Sequence, residues 1–199
     1  DLQAGLAELG ASRKEDERLE QHIQSLYQTV CANCHRAIQA EAFIWDRESG
    51  LLEGRIYTCP HCEDSGEKAP DISDAVNASK WSKLEMMHRS RALERIAPTD
   101  DPDRVHAEEA LAIYLPRTVY ALGTIINRIE LLKLTPQRRR ALTALVLTAC
   151  DQASGMRIHP PDKRRRPRSL ALPPRFRENN LWQALEDGIN LWAGVPEAG

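Results

Sequence analysis

Apolar residues recur at helical spacing through most of the chain and alternate with polar ones in one stretch near its first quarter. Leu6, Leu9, Leu19, Ile23 and Leu26 mark an amphipathic helix over 2–25, interrupted near Gly10, with Glu8, Glu15, Asp16, Glu17 and Glu20 as its solvated face. Tyr27 to Val30 reads as a short strand. Ile38, Ala40, Ala42 and Ile44 then alternate with Gln39, Glu41, Phe43 and Trp45, "DRESG" supplies a turn, and "LLEGRIYT" returns as a strand. The polar stretch 63–74 reads as a linker. Beyond it the helical period resumes from Asp74 to Ile96, with Trp81, Leu84, Met87 and Leu93 on one face. Asp101-Pro102 signals another helix start, and Val119, Leu122, Ile125, Ile126, Ile129 and Leu132 trace the buried face of the next helix. Thr135-Pro136 opens a further one, with Leu142, Leu145, Val146 and Ala149 inward and Cys150 on the same stripe as an inert core thiol. Trp182, Leu185, Ile189 and Trp192 space a last helix, as core or interface anchors.

Cysteine spacing gives the β segment its chemistry. Four of the five cysteines form two Cys-x-x-Cys pairs, Cys31/Cys34 and Cys59/Cys62, one at each end of the predicted hairpin. Thiolates so spaced converge tetrahedrally on one zinc ion, and with no open coordination position such an ion is structural. A disulfide framework suits a chain of 199 residues with a full helical core poorly, and a redox pair belongs to a strand–helix turn that neither motif offers. His35 and His61 then lie beside the ligands or face solvent. The expected fold is α+β, mainly α with a small β zinc ribbon: a helical bundle plus a three-stranded, four-cysteine zinc ribbon that folds around its metal. Its parts are an N-terminal helix (1–25), the ribbon (26–66) and a helical domain (74–199).

Composition changes this picture in one place. The net charge is only −2 and aromatic residues make up 5%, which favours aliphatic helix packing. The basic loop 157–177, however, carries Arg157, Lys163, Arg164, Arg165, Arg166, Arg168, Arg175 and Arg177 against the single acid Asp162. Its prolines keep it extended, and an extended arginine arm suits contact with DNA phosphates, with a solvated loop whose charge repels self-association as the alternative. No signal peptide and no apolar run near the length of a membrane span are visible, so a cytoplasmic location with reduced thiols is expected. A chain opening at Asp1 rather than Met reads as a piece of something longer. Phosphate loops, nucleophile elbows and zincin motifs are missing, so no catalytic constellation is expected in this chain alone.

The order of ribbon, "YLPRTVYALGTIINRI", "ALTALVLTACDQASGM" and "LPPRFRENNLWQALE" resembles the middle part of bacterial adenine-specific DNA methylases, over roughly residues 26 to 193. The matching stretches are Leu115 to Arg117, Asp151 to Gly155 and Pro173 to Trp182. Asp151 and Gly155 depart from the family's usual Asn and Arg. The resemblance implies a zinc-bearing DNA-recognition region of a methyltransferase that uses S-adenosylmethionine (SAM), whose cofactor and catalytic motifs lie in the remainder of the enzyme and outside these residues. A free-standing adaptor module, with the ribbon and the Trp-bearing helix contacting protein, is the alternative.

Overall fold

The computed structural model describes residues 2–161 and 172–193. The first predicted helix is two: α1 (Leu2–Ala11) and α2 (Leu19–Ser25) flank a tight hairpin of β1 (Arg13–Lys14) and β2 (Glu17–Arg18), with Glu15 at positive φ in the turn. Gly10 lies in the last turn of α1 just before the break, and a Cβ there would stand 2.9 Å from the Trp182 ring, which packs against the helix at this point.

The alternating stretch forms more strands than expected. β3 (Gln28–Val30) pairs antiparallel with β4 (Ala37–Gln39) as a separate two-stranded ribbon. β5 (Ala42–Asp46), β6 (Leu52–Thr58) and β7 (Ser65–Lys68) are joined by β8 (Arg175–Asn179) in a sheet of order β7-β6-β5-β8. The expected three-stranded ribbon is therefore corrected in two places. Part of the stretch read as a linker is β7, and the C-terminal end of the basic loop is β8, zipped along β5 from Ala42↔Asn179 to Asp46↔Arg175. Period-two alternation in "RFREN" carries this strand, with Phe176 and Glu178 buried and the residues between them half-buried.

The helices follow. α3 (Ile72–Ile96) starts with a capping box in which the Asp71 side chain accepts from the Ser73 N–H and Asp74 accepts from the Asp71 N–H. Trp81 and Leu93 are buried as expected, whereas Met87 is exposed. α4 (Arg104–Leu111) begins after Asp103, not at Asp101-Pro102. The Asp101 carboxylate is spent on the Asp103 N–H, which holds a turn ahead of the helix. α5 (Pro116–Leu131) and α6 (Pro136–Gln152) take Pro at their first positions, and Thr135 caps α6. α7 (Leu181–Trp192) is capped by Asn180; Trp182 and Leu185 are buried, but Trp192 is exposed. Among the described residues no helix is long and apolar enough to cross a membrane.

Cross-strand register puts Phe43, Arg55 and Glu178 on one face of the sheet, with Trp45 and Phe176 beside them. That face meets the helices, and Phe43, Trp45 and Phe176 share one core with Leu9, Ile23, Ile125, Leu142 and Trp182. The sheet thus belongs to the main core rather than to a separate metal-folded unit. A charge pair lies within it. Glu178 accepts from Arg117 Nε at 2.9 Å and from Arg117 Nη2, and also from Trp45 Nε1 at 2.9 Å. Arg117 Nη1 donates to the Leu26 carbonyl, and its guanidinium lies 4.4 Å from the Phe43 ring centroid and 4.9 Å from that of Tyr27. Burial alone would lower the Arg117 pKa, but Glu178 more than offsets this and raises it.

Removing one partner of such a pair strands the other charge out of water, at a cost of about 3–5 kcal/mol. Glu178→Ala should therefore lower stability to urea by about that amount. Glu178→Ala combined with Arg117→Met should lose clearly less than the sum of the two single changes. Additive losses would show that the pair is not coupled.

Candidate metal centre

Two turns of one design face each other across the strand ends. In the first, between β3 and β4, the Cys31 N–H donates to the Arg36 carbonyl and the His35 N–H to the Cys31 carbonyl. In the second, between β6 and β7, the Cys59 N–H donates to the Asp64 carbonyl and the Glu63 N–H to the Cys59 carbonyl. The residue after each second cysteine turns left-handed, His35 at φ 57° and Glu63 at φ 61°. The common spacing was visible in "CANCHR" and "CPHCED". The shared backbone design was not.

The four thiols that the sequence singled out converge. Cys31 and Cys62 Sγ lie 3.6 Å apart, Cys34 and Cys59 Sγ lie 3.7 Å apart, and all four lie within 4.8 Å of one another. Four sulfurs at about 2.3 Å from a tetrahedral ion stand about 3.8 Å from each other, so the cluster fits a metal ion of that kind. All five cysteines are free thiols. Burial opposes a Cys31 thiolate, yet the Cys34 and Asn33 amides and the neighbouring thiols bring it down to about 6. At Cys34 the Arg36 amide favours the thiolate, but burial and the other three sulfurs push it up to about 11. Without a cation, a thiolate at Cys31 thus works against a second one at Cys34. A divalent ion would remove that conflict.

Residues outside the Cys motifs brace the cluster. The Tyr57 hydroxyl accepts from the Ala32 N–H at 2.8 Å and donates to Asp64 Oδ2 at 2.8 Å, which ties one turn to the other. Burial pushes that hydroxyl up to about 12, so it keeps its proton. Lys68, 2.6 Å from Asp64, and then Tyr57 hold the Asp64 carboxyl below its ordinary range. Nothing in the sequence pattern distinguished Tyr57 or Asp64 from strand and linker residues. His35 and His61 are exposed.

The basic segment is divided. Arg157 pairs with Asp151, and Arg175 Nε donates to Glu53 at 2.6 Å while its Nη2 donates to Glu67 at 2.9 Å. Arg177 is half-buried in β8, where burial lowers its pKa. The ends of the segment are zipped together, with the Arg177 N–H on the Arg157 carbonyl and the His159 N–H on the Arg175 carbonyl. Lys163, Arg164, Arg165, Arg166 and Arg168 lie outside the described residues. Cys150, half-buried on α6, is held above its ordinary pKa by burial, as suits an inert thiol.

The purified chain should carry one tightly held metal ion, which Cys59→Ser should lose while most of the helical circular dichroism survives, because the helical core excludes the cysteine cluster. Tyr57→Phe should keep the ion but weaken it about tenfold or more in chelator competition, since Ala32 and Asp64 lose their bridge. Unchanged affinity would remove Tyr57 from the site. No family model, curated protein or solved structure matches the chain.

Proposed function

We propose that the four-cysteine cluster holds structural Zn²⁺ in a zinc ribbon, and that the chain is the DNA-recognition region of an adenine methyltransferase dependent on SAM, non-catalytic by itself. Soft thiolates in a tetrahedral set favour zinc, and four protein ligands leave no position for a reacting water.

The observation that carries the reading is a convergence. The three stretches on which the methylase resemblance rests are far apart in sequence and meet at one place. Arg117 pairs with Glu178, and Trp45 joins them from β5. Arg47, from the adjoining turn, donates to the Pro173 carbonyl at 2.8 Å and to the Gly155 carbonyl. Gly155 N–H donates to the Ile113 carbonyl, and a Cβ on Gly155 would approach that oxygen to 2.6 Å. The glycine that departs from the family's Arg is thus what this packing requires. Residues that act as one buried unit are what a shared fold would keep together.

DNA contact is assigned to Lys163, Arg164, Arg165, Arg166 and Arg168, since Arg157 and Arg175 already hold carboxylates. The adaptor reading has one observation in its favour, the exposed Trp192 and Leu191 at the end of α7.

Changing Arg164, Arg165 and Arg166 to Ala should flatten the dependence of log duplex affinity on log salt by roughly two to three units, at about 0.9 per phosphate contact, for all sequences alike. If the wild-type chain shows no salt-dependent duplex binding by fluorescence anisotropy, the adaptor reading replaces this one. Calorimetry of the same chain with SAM should give no saturable heat; stoichiometric binding would mean that a cofactor site is present here after all.

A further inference from the structure

A further concentration of positive charge falls on residues outside 157–177, mostly on the helices. Between α3 and α5 is a cavity of about 370 Å³ whose rim carries Lys14, His88, Arg91, Arg95 and Arg128, and no carboxylate lines it. Gly123 of α5 lines it, and beyond that helix's own adjacent backbone nothing stands within 4 Å of where its Cβ would be. Helical spacing produces the arrangement. His88, Arg91 and Arg95 fall on one side of α3, and Gly123, Asn127 and Arg128 face them from α5.

Two of the cations have their charge met. Arg95 reaches Asn127 and Glu130, and Lys14 pairs with Glu15 at 2.5 Å. Arg91 and Arg128 have no ion-pair partner among the described residues. Arg128 works against the charge on Lys14, and Arg91 adds to burial in lowering the pKa of His88. Two cations with unmet charge beside an open cavity suit an anion with several oxygens.

We infer that the cavity between α3 and α5 binds phosphate groups of a nucleic-acid backbone, through Arg91 and Arg128. The nucleic-acid source rests on the function proposed above; the phosphate chemistry rests on the cavity. Arg91 and Arg128 supply charge-assisted hydrogen bonds to phosphate oxygens, and the lack of a side chain at Gly123 lets the group approach the helix surface.

Tripolyphosphate and a DNA duplex separate the two parts. Tripolyphosphate titrated into the full chain should shift the His88 ring signals in NMR spectra, and the shift should vanish in Arg91→Ala/Arg128→Ala. It should vanish also in Gly123→Glu, which puts a carboxylate into open space, so that loss of binding does not depend on loss of packing. The double variant should in addition lower the salt slope for duplex binding by about two units. If wild-type His88 signals do not move with tripolyphosphate, the phosphate site is overturned whatever the chain does with DNA. If tripolyphosphate binds but the double variant keeps the full duplex affinity and slope, the nucleic-acid source is overturned. If tripolyphosphate binds and the wild-type chain holds no duplex, the phosphate site is supported and the DNA reading falls.

Discussion

The Arg117–Glu178 pair is the contact on which the arrangement of this chain turns. Glu178 comes from a strand near the C-terminus and Arg117 from the first turn of α5. Their shared neighbours are Trp45 from the central strand β5 and the carbonyl at the end of the α2 segment. Each of these groups would be costly to bury alone, and together they satisfy one another. A strand that slipped by one residue along β5 would turn Glu178 to the other face of the sheet and leave Arg117 unpaired. The pair therefore fixes register as well as contact, and it joins sheet to helices in a way that apolar packing alone would leave less specific.

This constraint also explains which parts of the fold were legible in the sequence. The aliphatic stripes of α5 and α6 follow from periodicity, because Val119, Ile125, Leu142 and Leu145 are buried for no reason but their apolar surface. The thiol cluster was legible because its ligand chemistry admits few spacings. β8 was not. Its buried positions are filled by one aromatic and one glutamate, and a strand made of "RFREN" shows its inward face only when Arg117 is in view. β7 was hidden for a related reason, since "SGEK" is polar throughout and acquires its place by pairing with β6. The arginines at the ends of the basic segment misled in the same way. Their charge is plain in the sequence, while Asp151, Glu53 and Glu67, which meet it, are distant or unremarkable.

The same logic separates the candidate contacts for a polyanion. An arginine already holding a carboxylate gives up that pair to take a phosphate, so the exchange gains little. A cation with no internal partner loses nothing. Arg157 and Arg175 belong to the first kind, and Arg91 and Arg128 to the second. The distribution of unmet charge in space therefore refines what the density of basic residues along the chain suggests about where an anion docks.

Strand β6 shows why the metal centre is not a detachable module. Alternation places Arg55 and Tyr57 on one side of it, and Cys59 follows its last residue. Cys59 supplies a ligand, Tyr57 bridges the two cysteine turns, and Arg55 reaches Asp74 at 3.0 Å and Thr29 at 2.8 Å. Asp74 is in turn the residue that closes the capping box of α3. The chain of contacts runs from thiol to phenol to guanidinium to the start of the longest helix, within one strand and its nearest neighbours. An ion at the cysteines would fix the end of β6, and through it the position of Arg55 against α3. That helix carries His88 and Arg91 further along its length.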